Sequence, residues 1–140
     1  MDVGKATRIR VYLSDASSFL KEAETELNKG IQENNSYLIR DSAEKMWNAV
    51  IQATNATVLH YLDKAPSSHF ERRKMLSILE EKMPEMENLG LRDRYAARER
   101  NLHELVFYEG IIDIDEIRRE LGKVKRYVSD VVSLIVLEDL

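Results

Sequence analysis

The sequence predicts an all-α fold, an up-and-down bundle of about five helices, and three observations carry that prediction. Only five glycines and two prolines occur in 140 residues, so there are few breakers to divide long helices. Apolar residues recur at three- and four-residue steps along most of the chain. Capping and stop signals fall at the joins between these periodic stretches.

The first helix is expected over about Ala6 to Lys29. Ile9, Tyr12, Leu13, Ala16, Phe19, Leu20, Ala23 and Leu27 form one face of it. Gly30 follows, where a left-handed closing residue is expected. The second helix is expected from Ser36 to about Asp63. Its stripe includes Leu38, Ala43, Met46, Trp47, Val50, Ala53, Val58 and Tyr61, with small residues that admit a close neighbour. Pro66 closes this segment, because proline disfavours helix in the residue before it.

Ser68 and Glu71 have the spacing of a capping box and open a third helix over His69 to Lys82, with Phe70, Met75, Leu76 and Leu79 inward. Pro84 interrupts it. A fourth helix is expected from Gly90 to Gly110, and Asp113 with Glu116 opens a fifth. Ile114, Ile117, Leu121, Val124, Val128, Val131 and Ile135 give that last helix a coiled-coil-like seam. Its end, residues 131–137, is apolar nearly all round, as in a central helix or a subunit interface. The β-branched content there leaves a strand as the alternative.

A chain of 140 residues fits one domain, residues 1–140, and buries about 68–70 % of its extended surface without staples. There is no cysteine, which excludes disulfides and thiolate metal sites. No stretch is long and apolar enough for a membrane span, and the N-terminus lacks a signal-peptide core. A cytoplasmic location is expected. The net charge of −4 argues against a general grip on a nucleic-acid backbone.

Most enzyme classes find no foothold. No histidine has a glutamate three positions before it, and no His-Glu-x-x-His occurs, so no metal is expected. The glycines stand singly, which excludes a phosphate loop, and no cofactor is expected. His60 reads as a partly buried structural residue, His69 as a solvated turn residue and Trp47 as a core anchor. The run Arg72-Arg73-Lys74 reads first as a solvated helix face and second as a phosphate contact.

Chemistry concentrates on residues 98–109. His103 shares a helix face with Glu99 and Arg100 one turn before it and with Val106 and Phe107 one turn after. Glu99 is placed to orient the imidazole. Arg98 is five positions away, about 140° around an α-helix, so Arg98 and His103 of one chain do not readily meet on one target. Two copies facing each other could share one. Asn101, Tyr108 and Glu109 complete the candidate set; the alternative is that Arg98, Glu99 and Arg100 are a solvated face and His103 a satisfied interface residue.

The segments Glu44-Lys45-Met46-Trp47-Asn48-Ala49 and Leu102-His103-Glu104-Leu105-Val106-Phe107-Tyr108-Glu109 resemble the archaeal PaREP-type family. There a tryptophan helix precedes a Leu-His-x-x-Phe-Tyr-Glu helix. Here three residues separate His103 from Phe107. The resemblance spans roughly Ala6 to Tyr127 and extends to the wider HEPN group of helical domains. It implies a five-helix bundle that pairs as a homodimer, here through the fourth and fifth helices. It also implies a metal-independent ribonuclease motif, Arg-x4–6-His, which Arg98 and His103 match. His103 would then be the general acid or base and Arg98 the phosphate-stabilising group. Active members carry a small polar residue after the arginine, where this chain has Glu99. Two functions are therefore expected in order: an interaction or regulatory module with a protein partner, and a toxin-like ribonuclease acting on RNA.

Overall fold

In the computed structural model, residues 2–138 are described along the backbone, with side chains through Val136. They form six α-helices and one π-helical segment: α1 Val3–Gln32, α2 Ser36–Leu62, α3 His69–Lys82, α4 Pro84–Leu89, α5 Leu91–Arg98, the π-helical Glu99–Tyr108, and α6 Ile114–Glu138. The π-helical segment continues α5 without a break. No strand occurs among the described residues, and the backbone of residues 131–137 lies within α6, which overturns the strand alternative. The side chain of Leu137, part of the predicted apolar run, lies outside the described residues.

Helices α1 and α2 run antiparallel and in close contact. Gly30, near the end of α1, sits against Leu38 and Ile39 at the start of α2. At the other end, Lys5 donates to the His60 carbonyl at 3.0 Å and pairs with Asp63, so one ammonium caps the last turn of α2. Gly30 is not the left-handed stop expected of it. It is buried inside the helix, and a Cβ there would meet Ile39 Cγ1 at 2.9 Å. The left-handed residue is Asn34, with φ 52°, and the Asn35 carboxamide caps α2 by accepting from Tyr37 and Leu38.

Every residue from Ala53 to Leu59 is buried. The helix enclosed on all sides is therefore α2, and not the end of α6, where Val136 is exposed. Helix α6 packs on it: the buried Tyr127 hydroxyl and Thr54 Oγ1 are 2.6 Å apart. Helix α5 lies antiparallel to α6, with Arg94 against Asp130 at 2.8 Å and Arg98 against Glu120 at 2.7 Å.

Helix α3 has the predicted bounds. The Ser68 hydroxyl accepts from the Glu71 amide at 3.0 Å, while the Glu71 carboxylate bonds Ser67 and not Ser68. The inward stripe of α3 is Arg72, Leu76 and Leu79. Phe70, two positions from Arg72, stands about 200° away around the helix. It is exposed, with the Lys74 ammonium 6.0 Å from its ring centre, contrary to the inward placement predicted.

The predicted fourth helix over Gly90–Gly110 is helical but changes winding. Gly90 and Gly110 both have φ 70° and mark its ends. Between them, the backbone past Arg98 bonds in the wider π pattern, as in Glu109 N to Glu104 O at 2.9 Å. Arg40 of α2 caps the far end, donating to the carbonyls of Phe107 and Tyr108.

Candidate functional site

Trp47 is 1 % exposed and is the core anchor expected. Its indole meets His69 of α3 at 5.3 Å between ring centres, Tyr95 of α5 at 4.9 Å and His103 of the π segment at 5.9 Å. The two imidazoles lie 5.3 Å apart, edge to face. One tryptophan thus draws two histidines from different helices to one point.

His103 is held from α2. Its Nδ1 lies 2.8 Å from Glu44 Oε1, and both side chains are about one-fifth exposed, at 18 % and 20 %. Burial raises the Glu44 carboxyl above its ordinary range, and the hydrogen bond and charge of His103 pull in the opposite direction. An ionised carboxylate only accepts, so Nδ1 carries a proton and faces Glu44, leaving Nε2 for other partners. The orienting carboxylate is therefore Glu44, and not Glu99. Glu99 pairs with Arg73.

The π winding shapes the outer side of His103. Residues five apart stand far around an α-helix but close in a π-helix. The Tyr108 ring accordingly sits 4.8 Å from His103, edge on, while Phe107 stacks on it at 6.4 Å. Tyr108 is 65 % exposed, so this ring contact lies at the protein surface. Glu109 is exposed in the turn beyond.

Arg98 goes elsewhere. Its guanidinium is engaged by Glu120 through two contacts, Nε to Oε1 at 2.7 Å and Nη2 to Oε2 at 3.2 Å, and the side chains are 7 % and 5 % exposed. Asn101 joins this group by donating to Glu120 at 3.4 Å. Beside it, a cavity of about 250 Å³ is lined by Asn101, Leu105, Val106, Ile111, Asp113, Glu116, Ile117 and Glu120, and by neither Arg98 nor His103. Of the sequence-derived candidates, His103 and Tyr108 meet; Arg98 and Asn101 gather at Glu120; Glu99 turns to Arg73. The solvated face expected at 98–100 holds for Arg100 alone, which is exposed.

Three further groups stand at this site: His69 and Tyr95, which carried no functional reading in the sequence, and Arg72, whose second reading was a phosphate contact. His69 is half-buried and not a solvated turn residue: its Nδ1 lies 3.1 Å from Arg72 Nη1 and 3.3 Å from the Tyr95 hydroxyl. Burial lowers its pKa, assisted by the charges of Arg72, His103 and Arg73 and opposed by Glu99. Arg72 is buried and bonds Asn55 at 2.9 Å, so the basic run is not a solvated face at this position. Burial pushes the Tyr95 phenol up to about 12. The i, i+3 spacings Glu44/Trp47 and His69/Arg72 put each pair on one helix face and were the available signals.

Together these features define an all-helical protein with a histidine–carboxylate pair set on a tryptophan and a second histidine beside it. The chain belongs to the archaeal PaREP1/PaREP8 family, whose family model matches residues 11–128. No curated protein and no solved structure matches the chain significantly. Among the described residues, no helix is long and apolar enough to cross a membrane.

Proposed function

We propose that this chain is a HEPN-like helical module that acts as a homodimer and docks a protein partner through the face around Tyr108 and His103, in a regulatory role. The observation behind this reading is the burial of Arg98. Its charge is spent on Glu120 at 7 % exposure, so the arginine of the ribonuclease motif is not presented to a phosphate. The same segment exposes Tyr108 and Ile111, apolar surface of the kind that anchors interfaces. Analytical ultracentrifugation tests the dimer, which would pair through the exposed side of α6: wild type sediments as a dimer, and Val136→Glu as a monomer. Capture from the native host tests the docking: one specific protein is retained by wild type and lost from Tyr108→Ala. A monomeric wild type, or capture that ignores the substitution, refutes the reading.

A second reading, a metal-independent ribonuclease, is favoured by one observation: His103 Nδ1 at 2.8 Å from Glu44. A carboxylate that orients an imidazole and stabilises its protonated form is the arrangement a general base requires. In this reading, His103 is the acid–base residue, Glu44 its positioning residue, and Arg98 a structural support for the helix that carries them. RNA incubated with wild type in chelator is cleaved, and His103→Ala abolishes the cleavage. Equal cleavage by both proteins, or none by either, removes this reading.

A further inference from the structure

The contacts of His69 determine its tautomer. A guanidinium only donates, so Arg72 Nη1 at 3.1 Å requires a lone pair on His69 Nδ1. The Tyr95 hydroxyl at 3.3 Å donates to the same atom. His69 is therefore neutral, with its proton on Nε2. His103 is the opposite case. Its Nδ1 faces the Glu44 carboxylate and carries the proton, so its Nε2 is a lone pair when neutral and a second N–H when charged.

Neither Nε2 has a hydrogen-bond partner among the described residues, and neither is sealed from solvent as the unbonded Trp47 Nε1 is. The two rings stand 5.3 Å apart between centres, edge to face, so they are in contact and form one patch. The charges around them favour an anion. Arg72 is bonded to the neutral Asn55 and His69, whereas Arg73 is matched by Glu99 and a protonated His103 by Glu44. Arg72 thus places a positive charge directly behind the His69 ring, while the Glu44 carboxylate that balances it when His103 is neutral sits at Nδ1 of His103, away from Nε2.

We propose that His69 is a fixed N–H donor which, with His103, forms a two-point site for the oxygen atoms of a phosphate ester. It receives one oxygen at His69 Nε2–H, while His103 Nε2 meets the neighbouring hydroxyl or a second oxygen. Arg72 and Tyr95 are positioning residues, because they act on the ligand only through the His69 ring. The choice of a phosphate ester rests on the acid–base reading of His103; the donor role of His69 does not.

Long-range nitrogen–proton NMR on the full-length ¹⁵N-labelled protein tests this directly, because it distinguishes the two tautomers. At neutral pH, His69 shows the Nε2–H form, and Arg72→Met converts it to a mixture. Addition of adenosine 3′-monophosphate shifts the His69 Nε2 resonance, and His69→Ala weakens binding roughly tenfold or more, the worth of one charge-assisted hydrogen bond. Inorganic phosphate run in parallel separates recognition of an ester from recognition of a free anion; shifts with phosphate alone overturn the ester assignment. A His69 that is charged or protonated on Nδ1, or a resonance unmoved by either probe, overturns the proposal. Binding without RNA cleavage removes the ribonuclease reading and leaves this site standing. Cleavage unaffected by His69→Ala leaves that reading standing and removes this one.

Discussion

Arg98 and Glu120 face each other in the protein interior, Nε to Oε1 at 2.7 Å, with neither side chain more than 7 % exposed. An ion pair so enclosed is costly to break from one side, because the remaining charge keeps its burial and loses its partner. Glu120→Ala is expected to destabilise the fold by about 3–5 kcal/mol. Arg98→Met removes the charge and keeps much of the volume, and Arg98→Met with Glu120→Leu recovers much of the loss. Urea midpoints of the single and double variants measure this. If Arg98 acted on a phosphate instead, Arg98→Met would abolish function with stability nearly unchanged.

The neutral state of His69 makes stability depend on pH with a definite sign. Its pKa is lowered from 6.5 in the folded protein, so the unfolded chain takes up the proton first as pH falls. Its contribution is whole above 6.5 and is lost as pH drops from there to the lower folded value. Glu44 works in the opposite sense. Its carboxyl, raised from 4.5, protonates earlier in the folded state, so acid favours the fold between that folded value and 4.5. Denaturant midpoints are expected to fall from about pH 7.5 to about pH 5.5, near the histidine range, and to fall less for His69→Gln. An identical slope for the two proteins would show that His69 is solvated and free to titrate.

Gly30 is required by space and not by backbone conformation. A methyl group there meets Ile39 Cγ1 at 2.9 Å and the Ile39 amide nitrogen at 3.1 Å. Overpacking of this kind costs about 1–3 kcal/mol, against about 1 kcal/mol gained in helix propensity. Gly30→Ala is expected to lower the thermal midpoint, and Gly30→Ala with Ile39→Ala, which removes Cγ1, to lose less than the two single changes summed. A rise in the midpoint for the single variant would show that α1 and α2 are not in contact at this crossing.

The π segment ends on carbonyls that Arg40 satisfies from α2. Arg40→Met leaves the carbonyls of Phe107 and Tyr108 without that donor, at a cost of about 1–3 kcal/mol. Hydrogen exchange is expected to quicken over residues 104–111 and to leave the α1–α2 pair unchanged. Uniform quickening along the chain would assign Arg40 a global role instead.

Much of the bundle was legible in the chain. The bounds of α3, its Ser68 cap, the Trp47 anchor and the Gly110 stop all follow from local rules of spacing and capping. The site was legible only at His103 and Tyr108. Glu44 stands 59 positions from His103 and Glu120 stands 22 positions from Arg98, so neither pairing leaves a mark in a local window. The error at Gly30 has the same origin: a glycine at a helix end and a glycine under a neighbouring helix look alike until the neighbour is placed.

Amphipathic periodicity is a property of consecutive residues, and it was enough by itself to make this an all-helical chain with these apolar faces. The partner of each buried charge is a property of how those helices cross. Only the tertiary structure turned Arg98 inward to Glu120, set Glu44 behind His103, and brought His69 to the same tryptophan. It also wound residues 99–108 as a π-helix, which aligns residues five apart. The physical reason is that a side chain's helix face follows from its position in the chain, whereas its partner depends on a neighbouring face contributed by a distant segment.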